Sequence, residues 1–381
     1  MPRDRLEQLK AIDSAVLTEV VRRDQCSSDF VIINWTVERL SNKGIANPDA
    51  LFRFYGRGRL GVVERPWSVV LKILTAPADQ TSASGVGYWK RELLLAQSAL
   101  LANLPGPVSA PRFYRVSEED GLGWIWMEHI QATSGQPWTQ NEYAFAARQL
   151  GQWNGTYLGG TPLPDAPWLS KDHYRGWVAG YERGVEAGWG NPLFRRRLSS
   201  AAQSRYLALS ADRERFFSAL DGLPQVFCHF DFGRRNLFVR QGLNYRPELV
   251  VIDWALCGNG PMGGDLCALV GMSALHLEYD PATAPQMAAT AVEAYLAGLR
   301  DAGWTGAPDL VRLGYTAGLA MHLGVSFPMV VPWFVIEESR PFAMQQFGVA
   351  GEELLERWVP LFLYILDCAD EARRLMARLD L

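Results

Sequence analysis

The stretch Val226–Val239, VFCHFDFGRRNLFV, followed by VVIDW at Val250–Trp254, decides how this chain is read. It places His229, Asp231 and Asn236 in the order HxDxxxxN after one short apolar strand, and Asp253 at the end of a second. Two carboxylates and an amide on loops after short strands are the parts that phosphoryl transfer from ATP needs. Asp231 can accept or orient the proton of a substrate hydroxyl. Asn236 and Asp253 can hold magnesium, which takes a few hard oxygen ligands and completes its shell with water and phosphate. An HxD alone is common by chance, and an Asp after a strand often serves only as a cap or turn former. The full spacing, with a flanking strand and a second strand ending in Asp, is much rarer and favours chemistry.

On these residues the chain resembles the aminoglycoside phosphotransferase and choline kinase-like family of small-molecule kinases, a branch of the protein-kinase-like fold. The resemblance runs from about Phe30 to the C-terminal helices and is most specific in the middle. It implies an α+β, two-lobed architecture with a small β-rich N-lobe, residues 1–128, and a larger, mainly helical C-lobe, residues 129–381. It also implies that Asp231 is the catalytic base, that Asn236 and Asp253 are the metal ligands, and that His229 supports the loop. Asp265, in PMGGDLCALV, resembles a further Asp that braces the catalytic loop. Two residues depart from the family pattern: Phe230 stands where many relatives have glycine, and Trp254 follows the metal aspartate.

The N-terminal half should supply a nucleotide-holding lobe. WSVVLKIL, Trp67–Leu74, is an apolar strand pattern with one lysine, and such a lysine needs an ionic partner. The following helix pattern, YWKRELLLAQSALL, offers Glu92. On the kinase reading, Lys72 contacts the ATP phosphates and Glu92 holds it; taken alone, Lys72 reads as an edge-strand lysine. GWIWMEHI, Gly123–Ile130, matches the hinge that receives adenine, with main-chain groups of Glu128 and Ile130 and the side chain of Met127 lining the pocket; an ordinary core strand fits the same residues. Ser41–Asn47, with Gly44, is expected to cover the phosphates, although no GxGxxG is present. Gly56 and Gly58 are expected to mark the next turn.

A chain of 381 residues suits two lobes, and 48% hydrophobic against 20% charged residues suits a packed globule. A net charge of −4 carries no basic footprint for nucleic acid. No apolar run reaches the roughly 18 residues of a membrane span. The N-terminus reads as an amphipathic charged helix and not as a signal peptide. Five cysteines at irregular spacing fit free thiols in a reducing cytoplasm and, near the loop, small apolar fillers in place of a metal site. Arg195–Arg197 read as a solvated helix face, with an anion site as the alternative. Oligomeric state is not legible.

The expected acceptor is a small molecule bearing a hydroxyl. An aromatic-rich insert at about 159–191 should line its side. The acids Glu278, Asp280, Glu293, Glu337 and Glu338 are too scattered to gather around a polycation, which needs an opposite charge for each desolvated ammonium. Trp168, Tyr174, Trp177, Tyr181, Trp189, Trp333 and Phe334 can stack on sugars, flat heterocycles or alkylammonium groups. The expectation is therefore an ATP- and magnesium-dependent kinase for a natural product, an antibiotic, or a sugar- or nucleoside-like compound. A choline-, ethanolamine- or homoserine-type kinase is the alternative, and a non-catalytic nucleotide-binding scaffold a third reading. The short interval from Asp253 to Asp265 leaves little room for the peptide platform of a protein kinase.

Overall fold

A computed structural model describes residues 5–40, 51–77, 82–131, 137–242 and 245–381. The segment expected to cover the phosphates, Ser41–Asn47, lies outside these residues. The chain divides into two compact units, one of residues 1–81, 88–104 and 109–131, the other of residues 82–87, 105–108 and 132–381.

The first unit is built on a five-stranded antiparallel sheet. Its order is Val31–Arg39, Leu51–Leu60, Val63–Thr75, Leu122–Glu128 and Phe113–Glu119. Side chains alternate across Val63–Thr75, as a pleated strand demands. Val69, Leu71 and Ile73 enter one apolar cluster with Leu17, Val20 and Val21 of the helix Ser14–Asp24. Val70 enters a second cluster with Leu93 and Ala96 of the helix Arg91–Gln97. Lys72, two residues on from Val70, shares its face. Gly56 and Gly58 do not mark a turn as expected; both lie inside the strand Leu51–Leu60, and the reversal falls at Gly61, where φ is +61°. The reason for glycine is close approach: a Cβ at position 56 would strike the Asn34 carbonyl and one at position 58 the Phe30 ring.

The second unit is mainly helical and carries the strands that frame HxDxxxxN. Its central helix, Gln140–Leu158, opens with the Thr139 N–H donating to the Glu142 carboxylate at 2.6 Å, which satisfies an otherwise open first-turn donor. This helix packs on Ala284–Asp301 so closely that a Cβ on Gly151 would meet the Tyr295 carbonyl and one on Gly298 the Arg148 carbonyl. The same pair of helices holds a buried relay. Asn154 Nδ2 donates to the Phe227 carbonyl at 3.4 Å, Tyr295 Oη donates to Asn154 Oδ1 at 2.8 Å, and the Gly263 N–H donates to Tyr295 Oη at 3.1 Å. Both strands flanking the HxD segment, Gln225–Cys228 and Gly258–Pro261, are thereby tied to one helical floor. No helix among the described residues is long and apolar enough to cross a membrane.

Alanine at Gly151 or Gly298 gains up to about 1 kcal/mol of helix propensity but must force two backbones apart, at about 1–3 kcal/mol. The expected net effect is destabilisation in urea unfolding. At Gly180, in the helix His173–Gly190, an added Cβ would meet nothing within 4 Å. There the same change should stabilise by about 0.5–1 kcal/mol.

Candidate active site

The strand Gln225–Cys228 leads into His229, and the chain then turns through Phe230 at φ +63°. That left-handed backbone is costly for a bulky residue and easy for glycine. Here the position is held by contacts. The Phe230 ring stacks on His173 at 3.9 Å with planes 3° apart, and the carboxylate of Asp265 accepts two backbone N–H groups, from His229 at 2.8 Å and from Phe230 at 2.7 Å. Asp265 is 1% exposed.

His229 ties the two loops together. Its Nδ1 accepts from the Asp231 N–H at 3.2 Å, so the ring proton sits on Nε2, which donates to the Ile252 carbonyl at 3.0 Å. One imidazole thus binds the Asp231 loop to the residue just before Asp253. A second tie runs alongside, from the Ile252 N–H to the Asn236 carbonyl at 3.0 Å. Asn236, in the short 3-10 turn Arg234–Asn236, donates Nδ2 to Asp231 Oδ2 at 2.8 Å and to the Asp231 carbonyl at 2.9 Å. With Nδ2 committed in this way, Oδ1 is the atom Asn236 can offer to a cation. Asp253 follows the strand Pro247–Val251 and sits at φ +62°, an uncommon conformation that costs about 1–3 kcal/mol for a non-glycine residue.

An amide oxygen and a carboxylate oxygen, joined through Ile252, make a hard donor pair suited to a magnesium ion that keeps phosphate and water in its shell. Among the described residues no group of three or more His, Cys, Asp or Glu is placed to enclose a metal, so such an ion would need ligands from a bound substrate. All five cysteines are free thiols, and burial pushes those of Cys228 and Cys267 well up.

The remaining anticipated residues belong to the first unit. Lys72 Nζ donates to Glu92 Oε2 at 2.5 Å, with the Glu92 side chain almost fully buried. Met127 is buried in the cluster that holds Val70 and Leu93. The Glu128 N–H donates to the Arg112 carbonyl at 2.9 Å, so any main-chain contact of Glu128 with a ligand must use its carbonyl. Ile130 lies just beyond the end of this strand and is half-buried.

The seven anticipated aromatics do not act together. Trp189 packs on Tyr206 at 4.3 Å, and Phe334 packs among Phe342, Phe347 and Trp358, so both serve the core. Tyr174 is buried, its hydroxyl lying against Gly264 and Gly318, and Trp168 is half-buried. Trp177, Tyr181 and Trp333 instead form a continuous wall, with centroids 4.6 Å and 5.3 Å apart. The wall meets the loop through His173, which lies 5.9 Å from Trp177 and stacks on Phe230 at 3.9 Å; burial raises the Tyr181 hydroxyl, and the Asp231 charge raises it further. Trp333 lies in the π-helical turn Val331–Val335, and His322, tilted against Trp177 with centroids 4.3 Å apart, lies in another, Ala320–Gly324. Such turns are rare and re-aim side chains within helical segments. Burial lowers His322 to about 4, so it is neutral at neutral pH.

Two features near the loop have no local signal in the sequence. Trp138 carries Arg234 on its face at 4.2 Å, and Ser273 Oγ accepts the Arg234 N–H at 3.0 Å. Both link residues too distant in sequence for spacing to reveal.

Burial raises the Asp265 carboxyl to about 6, against the lowering effect of its two N–H bonds. Its folded value lies above the ordinary value of about 3.9, so this group costs stability as pH rises from about 4 to about 6. Over the same interval the loop gains a full carboxylate acceptor. Turnover is therefore expected to fall as pH drops through about 6. The stability advantage of wild type over Asp265→Asn should shrink as pH rises through that window in urea unfolding. A difference independent of pH would contradict this account of the brace.

Residues 73–307 match the model of the Phosphotransferase enzyme family, APH. No curated protein matches the sequence. Among solved structures, a microcompartment-associated aminopropanol kinase is similar in fold at a TM-score of 0.51 and 15% identity, over 95% of this chain and 100% of that one. An amicoumacin kinase in complex with AMP-PNP, Ca2+ and Ami aligns at 0.49 and 12% identity, over 93% and 97% of the two chains. A spectinomycin phosphotransferase in complex with ADP and spectinomycin aligns at 0.47 and 12%, over 94% and 99%. With an antiparallel sheet in its first unit, helices in its second, and a family match over more than half of its length, the chain is an α+β protein of the protein-kinase-like class and belongs to the phosphotransferase enzyme family, small-molecule kinases that act on hydroxyl groups.

Proposed function

We propose that the protein transfers the γ-phosphoryl group of ATP, with magnesium, to a hydroxyl of a ring-bearing small molecule: a natural product, an antibiotic, or a sugar- or nucleoside-like compound. The observation that carries this reading is the 2.8 Å bond from Asn236 Nδ2 to Asp231 Oδ2 within a loop braced by Asp265. It orients the carboxylate that must meet the acceptor and points the amide oxygen toward a cation.

In this reading Asp231 receives the hydroxyl proton as the acceptor oxygen bonds to the γ-phosphorus and the bond to the bridging oxygen breaks, releasing ADP. Magnesium, held by Asn236 and Asp253, would supply positive charge against the phosphates. Lys72, oriented by Glu92, would contact the phosphates of the nucleotide. Met127 lines the adenine pocket, and the Glu128 carbonyl and the Ile130 main chain contact the base. Residues 1–128 then form the nucleotide lobe, and residues 129–381 the catalytic lobe, with the segment at about 159–191 on the acceptor side. Positioning and charge neutralisation do most of the work.

The aromatic wall supports a ring-bearing acceptor. Two of the carboxylates that might have gathered a polycation are otherwise engaged: Asp280 caps the turn Pro281–Thr283 at 3.0 Å from the Ala282 N–H, and Glu337 pairs with Arg340 at 3.6 Å. Five free thiols, four of them buried, support work in a reducing cytoplasm.

Asp231→Asn should leave nucleotide affinity nearly intact while lowering kcat by about 10²–10⁴-fold, the usual worth of a positioned acid or base. The check is ADP release with a panel of aminoglycosides, nucleoside and macrolide antibiotics, choline, ethanolamine and homoserine. Equal turnover in wild type and variant would remove Asp231 from the mechanism.

A further inference from the structure

The two consecutive arginines of the loop are treated differently by the fold. Arg234 is 4% exposed; its guanidinium lies on Trp138 and Nη1 donates to the Leu237 carbonyl at 3.1 Å, while its Nε has no hydrogen-bond partner among the described residues. Arg235 follows it directly and precedes Asn236. It is half-buried, yet its side chain makes no hydrogen bond or ion pair with the described residues, and its Nε is shut away from solvent without a partner. Elsewhere in this unit arginines of similar burial are closed by carboxylates, as Arg312 is by Glu371 at 2.6 Å and Arg373 by Asp212 at 2.9 Å. A guanidinium that loses water without such closure is costly, and its planar fork suits an oxyanion. Burial dominates its environment, and the carboxylates that act on it from a distance are Glu278 and Asp231.

We propose that Arg235 selects the acceptor by receiving a carboxylate or phosphate that the acceptor carries beside its reacting hydroxyl. This rests on the reading of Asp231 as the group that meets that hydroxyl. Its place in the chain favours the acceptor over the nucleotide: Arg235 lies in the loop of Asp231, four residues after it and directly before Asn236, with its buried Nε unpartnered. This separates the protein from kinases of polycations by the sign of charge it prefers.

The test compares matched acceptors in an ADP-release assay: glucose with glucuronate and glucosamine, uridine with uridine 5′-monophosphate, and kanamycin as a polycation. Wild type should favour the anionic members; glucuronate against uridine monophosphate separates carboxylate from phosphate. Arg235→Gln should raise the acceptor KM by roughly 10- to 100-fold, the worth of a charge-assisted hydrogen bond, without raising that of ATP. Arg235→Lys should restore part of the preference. A binding arm does not depend on turnover: sulfate should raise the Tm of wild type, and of Asp231→Asn, more than that of Arg235→Gln. Failure of turnover with sulfate binding retained would sink the kinase reading and leave the anion site standing. An equal sulfate response in wild type and Arg235→Gln, a preference for kanamycin or glucosamine, or a rise confined to the ATP KM would overturn the proposal.

Discussion

One buried carboxylate carries the geometry on which everything else depends. Asp265 accepts the N–H groups of His229 and Phe230, and so holds the chain through a left-handed turn that Phe230 would otherwise resist. From that turn the order of the loop is built by short steps. His229 is fixed in one tautomer between the Asp231 N–H and the Ile252 carbonyl, Asp231 is fixed by Asn236, and Asn236 is tied through Ile252 to the position before Asp253. Each bond lies inside one compact unit and rests on a floor of two helices interlocked at Gly151 and Gly298. The loop is therefore held by several bonds at once, the preorganisation that catalysis by positioning would use.

Much of this was legible in the sequence because the relevant signals are local. HxDxxxxN and the strand ending in Asp253 lie close together, and a lysine in an apolar strand followed by a helix bearing a single acid points to Lys72 and Glu92. Other features depend on packing that no local pattern encodes. Gly56 and Gly58 looked like turn residues, since glycine usually signals a bend; they lie within a strand because Asn34 and Phe30 crowd that face. Much of the tryptophan-rich expectation dissolved for a similar reason. Trp189 and Phe334 satisfy core neighbours, whereas Trp177, Tyr181 and Trp333 meet only because a helix and a π-helical turn bring distant residues together. Composition counts aromatic rings but does not say which of them reach the loop.

Charge distribution adds a second constraint. The helical unit uses many of its carboxylates on arginines, as in the pairs Arg197–Glu352, Arg205–Asp370 and Arg312–Glu371. Most such pairs are partly exposed and stabilise by no more than about 1 kcal/mol each. Their larger consequence is that those acids are occupied, whereas the side chain of Arg235 in the loop has no carboxylate partner among the described residues.

The measurement that tests the central claim most directly is calorimetric titration of ATP into wild type and Asp253→Ala, each with magnesium and with EDTA. If Asn236 and Asp253 form the metal-holding pair beside Asp231, magnesium strengthens binding in wild type, and that gain disappears in the variant while the protein stays folded. The same magnesium-dependent gain in both proteins would contradict the account and place the metal elsewhere.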